Sequence, residues 1–169
     1  MERRNNFVTM KGNPVTLLGT EIKVGSIAPD FTAVTKELQP FALSDLNGKV
    51  KLISIVPSID TGVCDLQTMT FNEEAGKLKN VAVITISMDL PFALGRYCAT
   101  KGIENSVTLS DHRDASFGKA YGFLIDELRL LTRGVLVIDE NNVVKHVEYV
   151  KEITEHPDYD RALDVVSKL

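Results

Sequence analysis

The chain carries two thiols, Cys64 and Cys98, and three imidazoles, His112, His146 and His156, among its 169 residues. A structural zinc site needs Cys or His at short ligand spacings, and neither the two cysteines nor the three histidines provide them. A Cys-His hydrolase needs a base beside its thiol, and nothing in the sequence positions one of the histidines there. No Walker pattern and no Gly-x-Gly-x-x-Gly follows a strand, so a phosphate-cradling loop is not expected. Neither a metal nor an organic cofactor is expected.

The segment Pro57-Ser58-Ile59-Asp60-Thr61-Gly62-Val63-Cys64 lies between a buried-strand pattern and the start of a helix. A cysteine in the first helical turn meets unpaired backbone N–H groups and the positive end of the helix dipole, which favour thiolate. An ordinary thiol, with pKa about 8.5, is only a few per cent ionised at neutral pH, so such help converts an inert group into a nucleophile. The plainer reading of Cys64, a small buried core residue, stands beside this one. Cys98 shares an apolar helical stripe with Leu94 and taken alone is core filler. A permanent bond between the thiols would close a loop of about 35 residues and stabilise the fold by roughly 4 kcal/mol in the chain-entropy model. A reducing cytosol would not keep that bond, which favours a reversible one. Both thiols are expected on helices and bridging needs Cα atoms within about 7 Å, so oxidation should unwind one or both helices locally.

The elements that must hold these residues follow from the pattern. Phe7-Val8-Thr9-Met10, a turn at Lys11-Gly12-Asn13-Pro14, and then Val15 to Leu18 and Glu21 to Val24 predict an N-terminal hairpin within residues 1–24, an appendage to the main sheet. Phe31 to Val34, Lys49 to Val56 and Val81 to Ser87 are further strands. Asp60 or Thr61 can cap a helix running to about Lys79, with Leu66, Met69, Ala75 and Leu78 on its apolar face. Asp89-Leu90-Pro91 opens a second helix, with Leu94, Tyr97 and Cys98 on one stripe and a stop at Lys101-Gly102. Val107 to Leu109, a helical turn from Ala115 to Tyr121, a hairpin of Gly134–Ile138 with Val143–Tyr149, and a last helix from Pro157 complete the order. Ala162, Leu163, Val165 and Val166 form the inner side of that helix. Strands alternating with helices indicate an α/β fold with a mixed central sheet flanked by helices. No repeat or linker interrupts it, so residues 1–169 are expected to form a single domain.

Composition narrows the function classes. With 19 Lys+Arg against 23 Asp+Glu, the net charge is −4 and there is no basic run, which argues against nucleic acid as a partner. Uncharged stretches such as Asn80–Met88 are half the length of about 18 apolar residues needed to span a membrane. The N-terminus Met1-Glu2-Arg3-Arg4 leads into no apolar signal region, so a cytoplasmic protein is expected.

Pro57-x-x-x-Thr61-x-x-Cys64 resembles the active-site signature of the peroxiredoxins, and the longer Pro-Ser-Ile-Asp-Thr-Gly-Val-Cys-Asp resembles their bacterial thiol peroxidase branch. The likeness covers nearly the whole chain. It includes Gly12-Asn13-Pro14-Val15, Gly25 to Phe31, Ser110-Asp111-x-Arg113, Phe117 to Gly122, and Glu152-Ile153-Thr154 with Pro157-Asp158-Tyr159. The resemblance implies a thioredoxin-like fold and reduction of hydroperoxides with thioredoxin as electron donor, by a homodimer that pairs near the active site. By the same resemblance Cys64 is the peroxidatic thiol, and Cys98 is the resolving thiol that closes an intramolecular disulfide. Thr61 offers its hydroxyl to the thiolate and the peroxide, Pro57 shields the pocket from water, and Arg133 stabilises thiolate and developing alkoxide charge. Judged as a residue alone, Arg133 would be an ordinary solvated side chain. Two departures from the branch are His112, where an aromatic is common, and Gly134, where a slightly larger residue is usual. His112, between Asp111 and Arg113, is expected on a surface loop rather than in catalysis.

Two other readings compete: a thiol-disulfide oxidoreductase, disfavoured by the absence of Cys-x-x-Cys, and a non-enzymatic redox sensor whose disulfide switches a partner surface.

Overall fold

The computed structural model describes residues 1–75, 77–104 and 106–169. A seven-stranded mixed sheet forms the centre, in the order β10-β9-β5-β6-β7-β3-β4. Its strands are β3 (Thr32–Thr35), β4 (Pro40–Ala42), β5 (Val50–Ile55), β6 (Val81–Ser87), β7 (Val107–Ser110), β9 (Gly134–Ile138) and β10 (Val144–Tyr149). β5, β6 and β7 run parallel, and the helices α1 (Gly62–Ala75) and α2 (Pro91–Lys101) make the crossovers between them. Every residue of β5 and of β9 is buried, the mark of strands covered on both faces.

Side-chain alternation sorts these strands between two apolar layers. Val50, Leu52, Val83, Val135 and Val137 pack with Phe71 of α1 and with Ala162 and Val166 of α4 (Tyr159–Ser167). Their neighbours Ile53, Ile55, Ile84, Ile86, Leu136 and Ile138 face the other way, onto Phe117 and Tyr121 of α3 (Ser116–Tyr121) and the N-terminal hairpin. The chain thus places α1 and α4 over one face and α3 over the other. A third cluster joins Val56, Ile59 and Cys64 to Leu94, Tyr97, Cys98 and Ile103, so α1 and α2 meet where the two thiols lie.

The hairpin consists of β1 (Arg3–Met10) and β2 (Asn13–Leu18). Lys11 and Gly12 link them with positive φ at both positions, 51° and 80°, the two-residue turn whose twist suits antiparallel strands. β2 also pairs with the short β8 (Leu124–Ile125), which makes a second sheet. Glu21 to Val24, expected as a strand, is not one, because beyond Leu18 the backbone turns away at Gly19, whose φ is 99°. β4 and β8, only three and two residues long, were not foreseen.

α1 departs most from expectation. Leu66, placed on its apolar face, is 50% exposed. The buried face is Cys64, Gln67, Thr68, Phe71 and Asn72, largely polar, so apolar spacing reads it only in part. Of the other expected positions, Met69 and Leu78 are partly buried, while the side chain of Ala75 and all of Gly76, within the expected run to Lys79, lie outside the described residues. α2 matches its reading, with Pro91 at its first position and Gly102 closing it in the left-handed conformation.

Candidate active site

β5 ends beneath the start of α1, and the loop between them is fixed at both ends. Asp89, just past β6, accepts hydrogen bonds from Ser58 Oγ (2.9 Å), Ile59 N (2.9 Å) and Ser87 Oγ (2.7 Å). Thr61 then caps α1: its carbonyl accepts from Asp65 N (2.9 Å), and its Oγ1 from Cys64 N (3.3 Å). Cys64 therefore occupies the first turn, as its position in the sequence implies, and is fully buried. Pro57 is buried beside it.

Arg133, which residue type alone assigns to solvent, is 2% exposed. It lies just before β9, and the pairing of β9 with β5 carries it to the start of α1. Its Nη2 donates to Cys64 Sγ (3.1 Å), its Nη1 to Gln67 Oε1 (3.0 Å) and its Nε to the Ile153 carbonyl (2.7 Å). Among the described residues no carboxylate forms an ion pair with it. Gln67 is held in turn, its Nε2 donating to Ser54 Oγ (2.9 Å) and to the Gly134 carbonyl (3.2 Å). Gly134 fits this close packing, since a Cβ there would collide with the Glu148 carbonyl and the Phe123 ring.

Pro57, Thr61 and Arg133 also line one pocket of about 320 Å³ over the start of α1. Met10 and Lys11 from the hairpin and Ile153 and Thr154 from the loop after β10 form its other walls, and the lining is mostly apolar. Neither cysteine lines this pocket: Cys64 is buried behind it, bonded to Arg133. Cys98 lies farther off on α2, 4% exposed, with Sγ 3.3 Å from Thr108 Oγ1, in the apolar cluster that also holds Cys64. Both thiols are free. A hydrogen bond from Tyr97 Oη to Asp65 Oδ1 (2.6 Å) ties the two thiol-bearing helices together, one residue from each cysteine. Burial, then the Asp65 carboxylate, push the Tyr97 phenol well above its ordinary value, so it stays a donor.

Gln67, Ser54 and the Ile153 carbonyl escaped the sequence reading. Gln67 sits three positions after Cys64, hence on the same helical face, and Ser54 interrupts an otherwise apolar buried strand; those are the signals that could have exposed them. Asp111 corrects another expectation: it is buried and accepts from Phe117 N (3.0 Å) and Gly118 N (2.9 Å) at the start of α3. His112 beside it is half-buried, with Nδ1 2.8 Å from Ser110 Oγ.

The redoxin family model matches residues 23–163. A thiol peroxidase from Halalkalibacterium halodurans is 62% identical over 157 residues, 93% of this chain and 95% of that protein. The thiol peroxidase of Bacillus subtilis is 57% identical over 162 residues, 96% of this chain and 97% of its own. The chain belongs to the thiol peroxidase branch of the peroxiredoxins. A crystal structure of a peroxiredoxin-like protein from Aquifex aeolicus superposes with a TM-score of 0.91 at 41% identity, covering 99% of each chain. The thioredoxin-like peroxiredoxin fold is thus shared from the hairpin to α4. Among the described residues no helix is long and apolar enough to cross a membrane.

Proposed function

We propose that this peroxiredoxin reduces hydrogen peroxide and organic hydroperoxides through Cys64, resolves the oxidised thiol with Cys98, and is recycled by thioredoxin. The observation that carries this reading is the buried Arg133 fork on Cys64 Sγ. A buried guanidinium with no carboxylate partner is costly unless an anion faces it, and thiolate sulfur is the group in reach. The same cation then stabilises the charge that leaves on oxygen.

The thiolate attacks the terminal peroxide oxygen as the O–O bond breaks. Sulfur becomes a sulfenic acid, and the departing alkoxide takes a proton to leave as alcohol, or as water when the substrate is hydrogen peroxide. Thr61 and Arg133 are polar residues of a mostly apolar pocket and are the ones beside Cys64, which orients the peroxide with its oxygens toward sulfur. The Cys98 thiol then attacks the sulfenic sulfur, releasing water and forming the Cys64–Cys98 disulfide. The two cysteines share a cluster but sit on separate helices, so this step requires α1 or α2 to unwind locally. Exchange with a thioredoxin dithiol supplies two electrons and two protons and restores both thiols.

We place the protein in the cytoplasm, acting as one unit over residues 1–169 and as a homodimer. The exposed Leu90 and Phe92 follow directly on Asp89, which holds the active-site loop, and give that surface its apolar character. The reading is tested by mixing reduced protein with cumene hydroperoxide. Cys64→Ser should abolish peroxide consumption, while Cys98→Ser should preserve the first turnover and trap a sulfenic acid. Unchanged consumption by Cys64→Ser would refute it.

A further inference from the structure

Glu152, in the loop after β10, gathers donors from both walls of the pocket over the start of α1. Its Oε1 accepts from Thr9 Oγ1 (2.9 Å) and Gly12 N (2.8 Å). Its Oε2 accepts from Lys11 N (3.1 Å), Thr154 N (3.0 Å) and Thr154 Oγ1 (2.7 Å). These bonds, that of the Thr154 N–H foremost, hold its carboxyl down to about 2. Glu152 does not line the pocket, but Lys11 and Thr154 do. The hairpin turn that carries Lys11 and Gly12 would otherwise present those N–H groups to water. The hairpin is also tied to this loop by a short parallel bridge, Thr9 N to the Lys151 carbonyl and Ile153 N to the Thr9 carbonyl, both 2.8 Å, and by Lys151 Nζ over the Phe7 ring.

We propose that Glu152 is a positioning residue that fixes the hairpin tip against the 152–154 loop and so sets how the pocket discriminates between bulky and small peroxides. Converging donors of this number need an acceptor-only group with two oxygens, which a carboxylate is and an amide is not. A bulky hydroperoxide depends on apolar walls at the right separation. Hydrogen peroxide needs only the sulfur, Arg133 and Thr61. Ile153, whose carbonyl orients Arg133, keeps its own N–H bond to the Thr9 carbonyl, so loosening the clamp acts on the wall more than on the reacting atoms. The inference rests on Cys64 being the peroxidatic thiol.

The test is the second-order rate of reduced protein with cumene hydroperoxide and with hydrogen peroxide, by stopped flow, for wild type, Glu152→Ala and Glu152→Gln. Glu152→Ala should lower the ratio of the two rates about tenfold, through the cumene hydroperoxide arm, because misplacing a binding wall forfeits orientation. Glu152→Gln should lower it to an intermediate value, since one of its two acceptors becomes a donor. If Glu152→Ala fails to fold, Thr9→Val removes one of the donors and should move the ratio the same way by roughly twofold. An unchanged ratio in the folded variants, including equal losses on both peroxides, would overturn the proposal and leave the peroxidase reading intact. Wild-type protein that reacts with neither peroxide would overturn that reading, and this inference with it.

Discussion

At the scale of single residues, the site is a cation looking for an anion. Arg133 is enclosed on three sides by Cys64 Sγ, Gln67 Oε1 and the Ile153 carbonyl, and only the sulfur can carry a compensating charge. Arg133→Met should therefore lower the rate of thiol oxidation by about a hundredfold or more, the usual loss when a charge-stabilising donor is removed. Stopped-flow oxidation of the reduced variant checks it, and a loss under about threefold would make Arg133 structural. Cys64, Thr61 and Pro57 were legible because they share one contiguous segment whose spacing encodes a capped helix start. Arg133 was legible only through the family resemblance, because a lone arginine before a strand looks solvated. Only the antiparallel pairing of β9 with β5, far apart in sequence, brings it to the thiol.

Among the elements, α1 and α2 are joined where the proposed disulfide step would part them. The bond from Tyr97 to Asp65 spans the two helices beside both cysteines, and Lys101 Nζ adds a weaker contact to the other Asp65 oxygen at 3.4 Å. If oxidation unwinds these helices, this bond is among the first to break. A hydrogen bond to a charged group contributes roughly 1.5–3 kcal/mol, so Tyr97→Phe should speed disulfide formation after the first oxidation by about tenfold or more. Rapid-quench trapping of free thiols after one equivalent of peroxide measures it; an unchanged or slower step would mean that the latch does not oppose unwinding. The central strands, α2 and the last helix were readable from continuous apolar runs, from Pro91 and Gly102, and from the apolar positions of α4, while the short β4 and β8 carry too few residues to leave a pattern. α1 was read only in part because its buried side holds the polar Gln67, Thr68 and Asn72, of which Gln67 accepts from Arg133. Function there overrides the apolar spacing on which such reading depends.

Across the whole molecule, stability should bear the mark of Asp111. Burial pushes its carboxyl up to about 6 from an ordinary 3.8, against the opposing pull of the Gly118 and Phe117 N–H groups. A carboxyl raised on folding binds its proton more readily in the native state. Its contribution is thus most favourable below the unfolded value, is lost as pH rises toward 6, and is constant above that. The Asp111→Asn variant should lack this component, so the difference in melting temperature between variant and wild type should change between pH 4 and 6 and level off above. A difference that is flat across that window would show that Asp111 does not titrate there. The molecule's central feature is still two buried free thiols in one apolar cluster on neighbouring helices, the pair that the proposed cycle joins. The most direct test is to treat the fully reduced protein with one equivalent of cumene hydroperoxide and map its thiols by peptide mass spectrometry. The account predicts loss of both thiols and a Cys64–Cys98 disulfide within the monomer. Consumption of the peroxide with Cys98 still a free thiol, or a disulfide found only between chains, would contradict it.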